Sequence, residues 1–321
     1  MKHLFGAVSL LFLLVFFTQC KDDDTSSSAK GTARFEVTDG PIDDAEVKGA
    51  FVTISAVKVD GEEISGFTKQ TIDLMAYQNG ETKLLGTADL EADTYNEITL
   101  VLDHETDANG NSPGSYILTN DNTKHNLQAT SSATSEITVS KGDFTVEEDG
   151  STTVIIDFDL RKAIRHDDSP QTTDGYDFVS EAELENSVRM VTKSETGMVS
   201  GQITDNLNIA GDKIVVYAYA KGSFDKENEL EGQGTSEVQF SKAVTSASAD
   251  AQGNYTLAFL EDGNYELHFF GYEDTDNDGE MEVKGELQFN LLGNLGLDLN
   301  DLNVDAGSNV SVSLNIIGLL P

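Results

Sequence analysis

From Thr32 onward the chain is a succession of short runs in which apolar and polar side chains alternate, separated by clusters of Gly, Asn and Asp. A period of two is the signature of a strand with one packed and one wet face, so the pattern predicts an all-β protein built from antiparallel sheets. Ala33, Phe35 and Val37 alternate with Arg34 and Glu36, and Asp39-Gly40-Pro41 predicts a turn. The stretch AFVTISAVKV, residues 50–59, changes its apolar phase near Ala56, which predicts a bulge there or burial on both faces. Asp60-Gly61 is a hairpin signal. Strands are expected at 71–75 and 96–102, with Ile98, Leu100 and Leu102 on one face. Val154, Ile156, Phe158 and Leu160 then alternate with Thr153, Ile155, Asp157 and Asp159. Short helical turns are expected at 161–165 and 180–185, a polar loop at 166–175, and a last strand at 310–316.

The first two dozen residues break this pattern. Lys2 precedes an apolar run from Leu4 to Phe17, inside the range of an export signal and short of the roughly 18 to 20 residues a spanning helix needs. The only cysteine, Cys20, stands where that run meets Lys21-Asp22-Asp23-Asp24. Phe17-Thr18-Gln19-Cys20 resembles the lipobox of bacterial lipoproteins, although Gln19 stands where a small residue is usual. The lysine and three aspartates that follow resemble the surface-export signal of Bacteroidetes-type lipoproteins. The resemblance implies cleavage before Cys20, acylation of its thiol, and a mature protein held to the outer membrane by lipid and facing outward. Cleavage at Ser27-Ser28-Ala29 is the competing reading, and it would strand three aspartates between the apolar run and the cut. Two or three long acyl chains anchor durably where a single one would not.

Composition then narrows the class. Against 57 Asp and Glu stand 20 Lys and Arg, a formal charge of −37; without residues 1–19, which contain Lys2, 19 minus 57 gives −38. Nucleic acid is disfavoured as a partner, because binding it relies on Lys and Arg neutralising phosphates. With no second cysteine there is no internal disulfide, and stability has to come from packed cores. About 300 mature residues are enough for two domains of common size. The expected layout is a signal peptide over 1–19, a solvated tether over 20–30, and β-sandwich domains over 31–194 and 195–321 in series.

Two family resemblances fit this layout. TDGPIDDAEVKGAFVTISAVKV, TADLEADTYNEITLVLD, TVIIDFDLRKAI and NSVRMVT resemble successive segments of domain-of-unknown-function family 4382, over about Gly31 to Lys193. Thr38 to Pro41 and Asp157 to Ile164 are the most specific pieces. The resemblance implies an exported β-sandwich and carries over no catalytic residue. GMVSGQIT, KIVVYAYA, GNYTL and GNYEL, between 197 and 267, are similar to the carboxypeptidase-regulatory-like, transthyretin-type sandwich, which implies a non-catalytic stalk or binding surface.

Candidate chemistry is sparse. Asp274, Asp276 and Asp278 at positions 1, 3 and 5, Gly279 at 6, Glu280 at 7 and Glu282 at 9 match the first part of a calcium loop, between expected strands at 265–272 and 285–291. Position 12 is Gly285, so a calcium-stapled hairpin with a structural ion is expected rather than an EF-hand. Gly110-Asn111-Ser112-Pro113-Gly114 fits the G-x-S-x-G form, yet a strand follows at Tyr116, so a turn is expected. Asp103, Glu105, Asp107 and Asn109 read as a solvated loop. His104, His125, His166 and His268 lack zinc spacing, and His268 is expected to face solvent. Tyr217 and Tyr219 share a strand face and read as packing residues, with a sugar-stacking platform as the alternative. The leading expectation is a non-catalytic surface lipoprotein that binds, adheres or supports. The alternatives are a glycan-binding accessory protein of a polysaccharide-uptake system and a hydrolase using a carboxylate pair; the partner is an extracellular glycan or protein.

Overall fold

A computed structural model describes residues 29–42, 44–127, 132–166, 175–276, 280–291 and 298–320. Cys20 and Lys21 to Asp24 lie outside the described residues. The protein is all-β, with a few single-turn helical segments. Among the described residues no helix is long and apolar enough to cross a membrane.

The strands before residue 193 form two principal sheets. One orders Val188–Thr192, Ser151–Asp159, Lys30–Gly40 and Lys83–Glu91; the other is built around Val47–Val59, with Ile98–Asp103 and Tyr116–Thr119 as its neighbours. Alternation decides what each sheet buries. Phe35, Val37, Val154 and Ile156 from the first meet Val52, Ile54, Leu100 and Leu102 from the second in one core. The phase change near Ala56 is a bulge: the register against Ile98–Asp103 slips between Ile54 and Ala56. Asp60 and Gly61 both take positive φ, at 46° and 85°, as the tight hairpin requires. The helical turns form at Leu160–Ala163 and Glu181–Asn186, the latter closed by a capping box between Ser180 and Glu183.

Sheet membership changes at the 3-10 turn Lys193–Glu195. Beyond it, one sheet follows the order Thr245–Ser248, Lys213–Ala220, Gly263–Glu273, Glu282–Leu291, Leu314–Leu320, Thr196–Thr204, Asn254–Glu261. It wraps around its own core, so that Val216, Leu267 and Phe269 pack with Val199, Leu257, Leu314 and Ile316. The opposite faces of Lys213–Ala220 and Gly263–Glu273 are covered too. Val215, Tyr217 and Tyr219 join Phe270, Tyr272 and Phe240 in a second cluster.

Three details depart from the sequence reading. Each half adds parallel pairings to its antiparallel ones, Lys30–Gly40 beside Ser151–Asp159 and Thr196–Thr204 beside both Asn309–Ser311 and Leu314–Leu320. Long intervening chain lets two strands run the same way, which a short hairpin cannot do. Asp39, expected in a turn, lies inside the first strand and is buried. The last strand is interrupted at Val312, whose N–H donates to Ser200 O at 2.8 Å and whose carbonyl accepts from Tyr255 Oη at 2.9 Å.

That crossing leaves no room beside Gly201. A Cβ there would lie 1.7 Å from Val312 O and 2.9 Å from Tyr255 Oη. Gly201→Ala is expected to destabilise the C-terminal half by about 1–3 kcal/mol, as overpacking usually does, seen as a lower midpoint in a chemical unfolding titration.

Candidate functional site

The two most specific sequence segments of the N-terminal half meet in space. The parallel register sets Thr38, Asp39 and Gly40 beside Asp157, Phe158 and Asp159 at the ends of their strands. Asp39 Oδ1 accepts from Leu160 N at 3.2 Å and Oδ2 from Gln78 Nε2 at 3.1 Å. On the opposite face of Ser151–Asp159, Asp157 Oδ2 accepts from Arg189 Nε at 3.0 Å and Nη2 at 2.6 Å. Asp159 Oδ2 accepts from Arg161 Nη2 at 3.0 Å and lies 3.2 Å from Lys162 Nζ.

The cations of this cluster also reach into the C-terminal half. Arg161 Nη1 donates to Gln239 O at 2.6 Å, and its guanidinium sits 5.0 Å over the ring of Tyr217. Lys162 Nζ donates to Ala243 O. An apolar seam runs beside the charges, where Ile155 and Val191 pack with Ala258 and Phe259. Thus the strand face that carries Ile155, Asp157 and Asp159, polar by alternation, is covered by the other half of the molecule.

Burial sorts the three carboxyls. Asp39 is pushed well above the ordinary carboxylate range by burial, reinforced by the charges of Asp159 and Asp157. Burial also raises Asp157, outweighing the Arg189 beside it. Burial would raise Asp159 as well, but Arg161 and Lys162 outweigh it and hold that carboxyl below its usual range. Burial depresses Lys162 even with Asp159 near, since Arg161 repels it. Asp159 is ionised, because the guanidinium at 3.0 Å keeps its charge at any ordinary pH.

Three of the carboxylates expected to hold calcium lie together. Asp274, Asp276 and Glu282 each offer a carboxylate oxygen within 4.8 Å of the others. Three convergent hard oxygens suit Ca²⁺. The flanking strands form the expected hairpin, with Glu273 opposite Glu282 as its last pair. Glu282 Oε2 also accepts from Thr275 N at 2.8 Å and Thr275 Oγ1 at 2.7 Å. Glu280, at the position where a calcium loop uses a backbone carbonyl, bridges to Asp44 through its backbone and bonds His166 Nδ1 through its carboxylate, both in the N-terminal half. Asp278 lies outside the described residues.

The other candidates resolve as packing. Tyr217 and Tyr219 are fully buried, Tyr217 stacked on Phe240 and Tyr219 donating to Glu229 Oε2 at 2.9 Å, so neither offers a face to a sugar. His268 does not face solvent; it bonds Glu286 Oε1 at 2.9 Å and stacks on Phe224. His104 is buried against Ser135, which is 2.8 Å from its Nε2. In the loop before Tyr116, Asp107 Oδ1 accepts from Asn109 N and Asn111 N, both at 2.8 Å, a turn in which Ser112 has no catalytic setting.

Residues 30–179 match the family model described as Domain of unknown function (DUF4382). The DUF4382 match ends before Val188–Thr192, although that strand belongs to the same sheet and supplies Arg189 to the buried cluster. No curated protein matches the chain. Among solved structures, the Bacillus anthracis TIE protein is similar at 11% identity and a TM-score of 0.20, over 90% of this chain and 34% of its own, so this chain spans about a third of that protein's length. GBS52, the minor pilin of Streptococcus agalactiae, is similar at 10% identity and a TM-score of 0.22, over 90% of this chain and 97% of its own. The shaft pilin SpaA of Lactobacillus rhamnosus GG is similar at 10% identity and a TM-score of 0.20, over 92% and 100%. Likenesses this distant carry no function across.

Sequence reasoning reached the DUF4382 segments but assigned no role to Asp39, Arg161, Lys162 or Arg189. The available signal was Asp157-Phe158-Asp159 at a strand end followed at once by Arg161 and Lys162. The opposite shifts give a paired prediction. Asp39→Asn removes a carboxylate whose raised pKa works against folding at neutral pH, so it is expected to raise Tm at pH 7 by about 2–4 °C, the effect of roughly 1 kcal/mol in a domain of this size. That gain should shrink as pH falls through the raised folded pKa and vanish below the unfolded value, where Asp39 is protonated in both states. Asp159→Asn leaves Arg161 and Lys162 buried without their charge partner and is expected to cost about 3–5 kcal/mol at pH 7, read by calorimetry.

Proposed function

We propose that this is a lipid-anchored, non-catalytic protein of the cell exterior, with a binding, adhesion or structural role. The observation that supports it best is the fate of two buried carboxylates. Asp157 is tied to Arg189 and Asp159 to Arg161 and Lys162, and the last two cations brace the two halves against each other. An arrangement that locks two β units together suits a protein that bears load or presents a surface. The leader LFLLVFFTQCKDDD supplies the address: Cys20 carries the lipid, and Lys21 to Asp24 begin a tether that cannot enter a bilayer. Mass spectrometry of the protein purified from membranes is expected to find an acylated N-terminal Cys20, and Cys20→Ser to shift the protein to the soluble fraction. A bare, unmodified Cys20 in membrane-purified protein would end the anchoring.

Calcium bound by Asp274, Asp276 and Glu282 is the structural part of the same reading. The hairpin formed by Gly263–Glu273 and Glu282–Leu291 would then be stiffened at the tip where these carboxylates repel one another. Added CaCl₂ at millimolar concentration is expected to raise Tm, chelator to reverse the gain, and Asp276→Ala to abolish it. Equal melting with and without calcium would exclude the ion.

A hydrolase is the second reading, favoured by one observation. Asp157 is pushed up and Asp159 held down in one cleft, the separation an acid and base pair needs. Turnover of an aryl-glycoside or polysaccharide panel that Asp157→Asn abolishes without unfolding would establish it.

A further inference from the structure

We infer that the open edge of Lys83–Glu91 takes up an extended peptide by strand addition, one in which basic and apolar residues alternate. This rests on the reading of the protein as a binding module and names the chemistry of its partner. Lys83–Glu91 is the last strand of its sheet; among the described residues it pairs with Lys30–Gly40 on one side and with no strand on the other. The direction of its backbone groups follows from the register. Ala92 N donates to Ala29 O at 2.7 Å, so in this antiparallel ladder the hydrogen-bonded pairs are Leu90 with Gly31 and Ala88 with Ala33. Thr87, Asp89 and Glu91 therefore turn their N–H and C=O outward. Their partners in the register agree, since Lys30 O accepts from Asp149 N and Thr32 N donates to Gly150 O on the far side of the strand. Gln70 Nε2 meets Leu85 O at 2.6 Å, and Tyr95 Oη meets Glu91 O at 3.0 Å. The outward groups of Thr87 and Asp89 have no partner among the described residues. Two donors and two acceptors at strand spacing are what an added strand engages.

This edge opens on a groove of about 630 Å³, lined also by the hairpin that carries Asp60, Glu62 and Glu63. Alternation sets which side chains an incoming strand meets. On one face Thr87, Asp89 and Glu91 are exposed; on the other Ala88 is buried and Leu90 half-buried, and Ile64 and Tyr95 line the same groove. An added strand thus presents every second residue to carboxylates and the residues between them to apolar surface. Asp60, Glu62 and Asp89 are exposed and have no ion-pair partner among the described residues. Burial first, and then the charges of Glu91, Asp93 and Asp60, push the Tyr95 hydroxyl above the ordinary tyrosine range, a sign of the negative field there. A lysine or arginine directly opposite Asp89 makes a favourable cross-strand pair, and a carboxylate an unfavourable one. A second copy laid edge to edge would set two acidic rows against each other in a chain of −37. The chain's own residues 21–28, KDDDTSSS, carry three aspartates and no apolar side chain, so they are no complement either.

Fluorescence anisotropy and amide hydrogen exchange on the whole mature protein, at physiological salt, test this with the heptapeptide Lys-Val-Lys-Val-Lys-Val-Lys. The same peptide with every inner backbone nitrogen methylated keeps the side chains and charge but loses the ladder donors. Glu-Val-Glu-Val-Glu-Val-Glu keeps the alternation and reverses the charge. The lysine peptide is expected to bind at least about tenfold more tightly than either control and to slow exchange of the Thr87 and Asp89 amides. Asp89→Lys, at an exposed position, is expected to weaken it about fivefold while leaving Tm unchanged. Equal binding of the methylated peptide, unchanged exchange at Thr87 and Asp89, or Asp89→Lys without effect would each overturn the inference. Protection of those two amides that grows with protein concentration, with no peptide present, would give the edge to a second copy and overturn it as well. Cys20 acylation is read separately, so failure of the peptide with the lipid present removes this partner assignment alone.

Discussion

The structure depends on how one strand, Ser151–Asp159, is covered on both faces. Its inward face, Val154, Ile156 and Phe158, belongs to the N-terminal core. Its other face, with Ile155, Asp157 and Asp159, is shut in by Ala258 and Phe259 and by the segment that carries Gln239 to Ala243. Desolvating two carboxylates is costly, and nearby cations offset part of it. Arg189 provides this for Asp157, and Arg161 with Lys162 for Asp159. Remove the second half and these pairs become ordinary surface contacts of small worth.

That constraint links the two halves more closely than beads on a string. Arg161 and Lys162 each bond a carboxylate on one side and a backbone carbonyl on the other. Further along the junction, Lys213 Nζ donates to Ile42 O at 2.6 Å and Ser236 Oγ to Glu183 Oε2 at 2.7 Å. Glu183 is held down to about 2, since bonds from Ser180 and Ser236 outweigh its burial. An ionised acceptor there ties the Glu181–Asn186 cap to the neighbouring half, so a local capping device also serves the joint.

Much of the fold was legible because burial on one face writes itself into the sequence with a period of two. The bulge at Ala56, the Asp60-Gly61 hairpin, the two helical turns and the hairpin around Asp274 to Glu282 each have local causes, and local causes can be read locally. The convergence of Asp274, Asp276 and Glu282 at the hairpin tip was legible from their spacing. The contacts of the Glu280 side chain with His166 and of its backbone with Asp44, more than a hundred residues earlier, were not legible. Tyr217 and Tyr219 look the same in sequence whether a ring faces a sugar or Phe240.

By itself the sequence determined the class of the protein: an all-β chain, without an internal disulfide, strongly acidic, with its lone cysteine where an apolar N-terminal run meets Lys21-Asp22-Asp23-Asp24. These follow from composition and from periodicities a few residues long. Tertiary structure alone decided which polar face stays wet. Asp157 and Asp159 alternate with apolar neighbours as solvent-facing residues do, and their burial comes from strands a hundred residues away. The parallel partner that brings Asp39 to the same strand end, and Arg189 from beyond the DUF4382 match, are likewise long-range pairings that no window of sequence contains.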